Sequence, residues 1–181
     1  MGTRAADQHR HAAGGGGRFP DPHHDHAACA AGALEVAAAI CAARGGKMTE
    51  LRRRVLAIVW RGHRPVGAYD ILAAMQAENG RKVAPPTVYR TLDFLRQQGL
   101  VHRVESLNAY VGCPDPGRPH RVQFMICSDC GVAAEIDDAR VGQALDSAAA
   151  AAGFVPRQRM VEVSGLCARC AAPRDGSPAQ G

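Results

Sequence analysis

Two cysteine pairs of identical spacing, Cys127-Ser128-Asp129-Cys130 and Cys167-Ala168-Arg169-Cys170, constrain this chain more than any other feature. A C-x-x-C pair turns both sulfurs toward one point from a single tight turn, and two pairs supply the four thiolates of a tetrahedral zinc site. Gly131 follows the first pair with the backbone freedom such knuckles use. The pairs lie 36 residues apart (131–166), more than the roughly 15–20 of a ribbon-type site. A folded segment must lie between them, so a metal would staple the ends of a small domain. Two disulfides or a thioredoxin-like redox pair are the alternatives that the spacing leaves open.

The compartment bears on that choice. No run of apolar residues is long enough to span a membrane: the most apolar segment, 27–43, carries Glu35 in its middle. It also lacks the basic flank and cleavage site of a signal peptide. A cytoplasmic chain is expected, and there cysteines hold metal more often than they form disulfides. At 181 residues, with only 4% aromatics, the chain suits two small domains with modest cores.

The net charge of +5 is unevenly spread. Residues 47–106 hold 11 Lys/Arg against 5 Asp/Glu, while residues 107–172 hold 6 against 7. A basic half ahead of the cysteines is what a nucleic-acid-binding module would show, although a solvated basic surface gives the same total.

Residues 1–27 form a Gly- and His-rich head with Gly14 to Gly17 in a row and five of the eight histidines. Disorder is expected there, with loose metal capture as the lesser alternative. The tail, 173–181, should also be frayed. Between them, residue preferences predict a helix from about Ala28 to Arg44, ended by Gly45-Gly46. A second helix should start after Thr49 as N-cap and run from Glu50 to about Arg61. Its apolar stripe is Leu51, Val55, Ile58 and Val59, with Arg52, Arg53 and Arg54 on the exposed side. A third helix covers about Ala68 to Glu78. A fourth opens at Pro85-Pro86, runs through Thr87 to Leu95 and stops at Gly99, with Val88, Leu92 and Leu95 facing the core. Cys29 and Cys41 have no C-x-x-C partner and read as small packing residues.

Two short extended runs, Leu100–Glu105 and Ala109–Val111, complete a winged helix-turn-helix pattern over 28–112. In such motifs the second helix enters the major groove and its N-terminal residues meet base edges. Thr87, Tyr89 and Arg90 occupy that position, where an Arg can grip guanine and a Tyr can reach a thymine methyl or a phosphate. After a linker, 113–121, the remainder (122–172) reads strand (122–127), strand (132–136), helix (137–152), strand (154–163), then the second knuckle. The fold class is therefore α+β, a winged helix followed by a small α/β domain. An exposed sheet edge in so small a domain invites pairing with a second copy.

A second group of ligand-type residues surrounds the linker: His102, Cys113, His120 and Glu135. One thiolate, two imidazoles and one carboxylate would suit zinc and would tie the two halves together. Singly, each also reads as a surface His, a small buried Cys or a strand-face Glu.

The segments Pro85-Pro86-Thr87-Val88-Tyr89-Arg90-Thr91-Leu92, Val101-His102-Arg103-Val104-Glu105-Ser106, Cys127-x-x-Cys130-Gly131 and Gly165-Leu166-Cys167-x-x-Cys170 resemble the ferric uptake regulator superfamily, and within it the zinc-responsive branch. The resemblance covers about residues 28–172. It implies a homodimeric repressor of zinc uptake genes that binds double-stranded operator DNA when zinc is bound. It implies two zinc ions per protomer: a structural ion on Cys127, Cys130, Cys167 and Cys170, and a regulatory ion on His102, Cys113, His120 and Glu135. It also implies base contacts from Tyr69 and Arg90. The His-His-Asp-His motif that iron-type members carry before the first cysteine pair is reduced here to His120. His23-His24-Asp25-His26 lies about a hundred residues too early to replace it. Losing those ligands while offering Cys113 favours zinc over iron, manganese, nickel or peroxide sensing. No enzyme is expected, since H-E-x-x-H and H-x-E…P-C-x-x-C are absent. A small-molecule substrate and a membrane are not expected either.

Overall fold

The computed structural model describes residues 19, 25–79, 83–118, 120 and 122–172. Most of the Gly/His-rich head and the tail 173–181 lie outside the described residues, as do the expectations placed on them. The first helix, α1 (His26–Ala43), starts earlier than its alanine run predicts because Asp25 caps it. The Asp25 carboxylate accepts the N–H groups of Ala27 and Ala28 at 2.9 and 3.2 Å. By length and composition α1 could cross a membrane, yet it lies against α2 with Ala37 and Cys41 in the core.

Helix α2 (Glu50–Val59) opens on Thr49, whose Oγ1 accepts the Arg52 N–H at 3.4 Å. It is the central helix, packed on α1, on α3 (Ala68–Asn79) and on α4 (Pro85–Gln97). Its central place explains a departure from the expected stripe: Leu56 is buried together with Val55, Ile58 and Val59. Arg52 and Arg54 also differ from expectation, since only Arg53 is fully exposed. The Arg52 guanidinium lies 3.3 Å from the centroid of the Phe94 ring. Arg54 donates to Met75 O at 3.2 Å and pairs with Glu78 at 3.4 Å. Val88, Leu92 and Leu95 of α4 are fully buried, as their spacing predicts. Each such side chain contributes about 1.5–3 kcal/mol on burial.

The wing is a three-stranded antiparallel sheet, ordered β1-β3-β2, of β1 (Val66–Gly67), β2 (Val101–Val104) and β3 (Ala109–Gly112). Asn108 closes its turn at φ +47, a conformation Asn tolerates better than most residues. Gly112 fills a tight place, because a Cβ there would come within 2.2 Å of the Trp60 indole. Gly112→Ala is therefore expected to cost at least about 2 kcal/mol through overpacking. Urea unfolding followed by the fluorescence of Trp60, the only tryptophan in the chain, measures this. An unchanged midpoint would contradict the packing.

The second sheet, ordered β5-β4-β6, contains β4 (Gln123–Cys127), β5 (Ala133–Ile136) and β6 (Val161–Gly165). Strand β4 pairs antiparallel with β5 and parallel with β6, and α5 (Ala139–Ala151) makes the crossover. The expected strand 154–163 is corrected to Val161–Gly165. Strand β4 begins at Gln123, opposite Val161, so residues 154–160 have no partner backbone there, and Pro156 among them lacks an N–H. The second cysteine pair sits on a single helical turn, α6 (Ala168–Ala171), just after β6.

Wing and second sheet pack on each other. Val104 and Val111 meet Phe124, Ile126 and Ala133 in a small apolar cluster. The Ala133 N–H donates to His63 O at 2.9 Å, joining the loop before β1 to β5.

Candidate metal centres and nucleic-acid interface

The β4–β5 turn and the start of α6 bring Cys127, Cys130, Cys167 and Cys170 together, with all four sulfurs within 4.8 Å of one another. Cys130 Sγ and Cys167 Sγ are 3.9 Å apart. Thiolates at the corners of a tetrahedron around zinc would be about 3.8 Å apart. The Cys167 N–H points at Cys127 Sγ at 3.4 Å. Backbone N–H groups of Cys130 and Cys167 together hold the Cys127 thiol down at about 6, so a thiolate forms there readily. Gly131, at φ +71, turns the chain out of the first knuckle. No disulfide joins these cysteines, and the set fits zinc.

The second group converges equally well. His102 comes from β2, Cys113 follows β3, His120 precedes β4, and Glu135 lies on β5. Their ligand atoms also lie within 4.8 Å of one another. Cys113 Sγ is 3.7 Å from His120 Nε2, and His102 Nε2 is 3.5 Å from Glu135 Oε2. His120 Nε2 also contacts Glu135 Oε1. His120 Nδ1 is 2.7 Å from Arg118 O, which orients the ring so that Nε2 faces the group.

Two observations test whether this set suits a metal. His102 Nε2 and Glu135 Oε2 are buried side-chain atoms without a hydrogen-bond partner. Such atoms are costly unless something satisfies them, and a cation among the four groups would satisfy both. The donor chemistry agrees. Burial, with electrostatic repulsion from the neighbouring His120 adding to it, pushes His102 down to about 4, so its imidazole is neutral, as a ligand must be. Burial and the Glu135 charge push the Cys113 thiol up to about 12, and burial raises Glu135. A divalent ion would reverse that penalty by compensating both groups.

The residues expected to meet DNA lie on the helical half. Tyr69, in the first turn of α3, is exposed, as are Tyr89 and Arg90 in the first turns of α4. Thr87 is half-buried, and its carbonyl accepts the Thr91 hydroxyl at 2.9 Å. Sequence reasoning missed Glu162 on β6, which reaches the turn of the wing. No local motif marks it, because its partners are backbone N–H groups far away in the chain.

The sequence profile of the Ferric uptake regulator family matches residues 43–164. The zinc uptake regulation protein of Escherichia coli (strain K12) is 40% identical over 138 residues, covering 76% of this chain and 80% of that protein. A structure of a zinc uptake regulator complexed with zinc and DNA aligns at a TM-score of 0.72 and 38% identity, over 78% of this chain and 94% of that one. A holo XcZur crystal structure aligns at 0.68 and 42% identity, over 77% and 97%. The chain belongs to the ferric uptake regulator family.

Proposed function

We propose that this chain is a zinc-responsive transcriptional repressor, acting in the cytoplasm as a homodimer on the operators of zinc uptake genes. The observation that carries the proposal is the hinge set. His102, Cys113, His120 and Glu135 join the wing to the second sheet, and two of their ligand atoms are buried without a hydrogen bond. A zinc ion held there would crosslink the two halves. The thiolate of Cys113 favours zinc over iron or manganese. Cys127, Cys130, Cys167 and Cys170 hold the structural ion, giving two zinc ions per protomer. Each set offers four protein ligands, which leaves no open position for a substrate water and speaks against a hydrolase or deaminase.

In this reading 28–112 is the DNA-binding half, 113–121 the linker and 122–172 the dimerisation half. Dimerisation is supported by an unfinished second half. Of α5 only Gly142 is buried, and Phe154, Val155, Met160, Val163 and Leu166 stand exposed. A second copy would cover them. Tyr69, Thr87, Tyr89 and Arg90 would face the operator.

The test is selection from a pool of randomised duplexes of roughly 30 base pairs, long enough for two half-sites about one turn apart. Zinc-loaded chain should enrich a palindrome, and chain stripped of exchangeable zinc should not. Arg90→Ala should then weaken binding to the selected duplex by about 1–3 kcal/mol and relax sequence preference at one position. Enrichment with ferrous iron but not with zinc would sink the proposal.

Filling the hinge set should also release protons. Cys113 is a neutral thiol in the free chain, pushed up to about 12, and must be a thiolate as a ligand. His102, held near 4, has no proton to give at neutral pH. At least one proton per ion, that of Cys113, should therefore leave, and apparent zinc affinity should fall at least about tenfold per unit of decreasing pH. A pH indicator in weak buffer, read during addition of the second zinc equivalent, measures this. Zinc uptake without proton release would remove Cys113 from the set.

A further inference from the structure

Three residues paired across the second sheet lie in one row. Phe124 of β4 is opposite Glu135 of β5 on one side and Glu162 of β6 on the other. Paired residues point to the same face of a sheet, and this face meets the wing. At one end of the row Glu135 belongs to the hinge set. In the middle the Phe124 ring lies 6.2 Å from the ring of His102. At the other end Glu162 Oε1 accepts the Glu105 N–H at 2.7 Å, and Oε2 accepts the Ser106 N–H at 3.0 Å.

Both N–H groups belong to the turn that follows β2, the strand that carries His102. Successive N–H groups in a turn form a small anion-binding concavity, and Glu162 fills it. Partial burial alone would raise the Glu162 carboxyl. The Ser106 side chain, with the N–H groups of Ser106 and Glu105, outweighs that and holds it below its ordinary range. Arg96, Arg103 and Arg159 line a cleft beside Glu162, and each pairs with another carboxylate: Arg96 with Asp93, Arg103 with Glu105, and Arg159 with Asp146. Among the described residues Glu162 makes no ion pair; its partners lie in the wing turn, at Glu105 and Ser106.

We propose that Glu162 is a positioning residue for DNA binding: its carboxylate anchors the turn of the wing on the dimerisation sheet and helps convert occupancy of the hinge set into one fixed orientation of the DNA-reading half. The inference rests on the function proposed above. The apolar cluster, the Ala133–His63 hydrogen bond and the ligand set hold the base of the wing. Glu162 adds an anchor at its turn, at the far end of the strand that carries His102, and so restrains rotation of the wing on the sheet. In a dimer the rotation sets the distance between two recognition helices, so its removal matters for paired half-sites and not for one half-site.

The experiment uses full-length Glu162→Ala and Glu162→Gln chains, loaded with zinc, and the duplex selected by wild type. A second duplex has one half-site scrambled. Wild type should gain affinity with zinc on the paired duplex, by a factor in the range of about 5–150 typical of coupled sites. Glu162→Ala should lose most of that gain, a fall of about tenfold. It should match wild type on the single half-site and in zinc content per chain. Glu162→Gln keeps one acceptor oxygen and should recover part of the gain; it carries the test should the alanine variant fail to fold. Full zinc gain in the variants would overturn the inference. So would equal losses on both duplexes, or loss of bound zinc, since either would reduce Glu162 to a support of the fold. Wild type without any zinc gain would instead overturn the function proposed above.

Discussion

Cys167→Ser should strip the tightly held zinc from the chain and abolish the dimer while leaving the helical half folded. The second half is poorly supplied with apolar packing. Its buried hydrophobics are Phe124, Ile126, Ala133 and Ala134, together with Cys127 and Cys167 themselves. Burying a Phe or an Ile contributes about 1.5–3 kcal/mol, whereas ordering one residue's backbone costs about 1–2 kcal/mol. Structural zinc in small domains supplies about 10–16 kcal/mol, enough to make the difference. Loss of one thiolate should weaken zinc by more than the about 10–100-fold seen when only a ligand's supporting partner is lost. The main core runs from Ala37 to Tyr110 and uses no residue beyond it, so most helical signal should persist. Zinc per chain after dialysis against a chelator, sedimentation velocity and far-ultraviolet circular dichroism read the three parts separately. A dimer that retains its zinc would refute the structural role.

Cys113→Ser should give the opposite pattern. Structural zinc and the dimer should remain, and zinc-dependent binding to DNA should be lost or shifted at least about 100-fold toward higher zinc. The substitution keeps size and shape at a buried position, and the Cys113 N–H still donates to Leu100 O at 3.0 Å. What disappears is the soft donor of the hinge set. Titrating free zinc in a metal buffer against the selected duplex, with fluorescence anisotropy as readout, measures the shift. An unchanged midpoint would exclude Cys113 as a ligand. The two cysteine variants thus separate a permanent staple from a reversible crosslink.

Much of this architecture was legible in the sequence because its signals are local. Thr49, Pro85-Pro86, Gly99 and the Val88/Leu92/Leu95 stripe each mark a helix through chemistry within a few residues. The two C-x-x-C pairs announced themselves in the same way. Where partners are distant, the sequence was silent or misleading. Leu56 is buried because three helices surround α2, which no single-helix pattern reveals. The two-residue strand β1 exists only through its pairing with Tyr110 and Ala109. The run 154–160 has strand-like composition, but β4 extends no further to meet it. Glu162 reads as an ordinary acidic residue on an edge strand until the fold brings the wing turn, 56 residues away, onto its carboxylate.

The β4–β5 hairpin serves both ligand sets, with Cys127 and Cys130 at its turn and Glu135 on its returning strand. If both sets hold zinc as proposed, closure of the thiolates on their ion would add to the β4–β5 pairing that keeps Glu135 in register, and would favour filling that site first. A newly synthesised chain would then acquire one zinc before it responded to another. Under severe zinc starvation new protomers would remain unassembled, and the cell would be limited in making the sensor itself, not only in loading it. Existing dimers would be inherited and diluted by growth, so repression would recover after starvation at the pace of protein synthesis as well as of metal uptake.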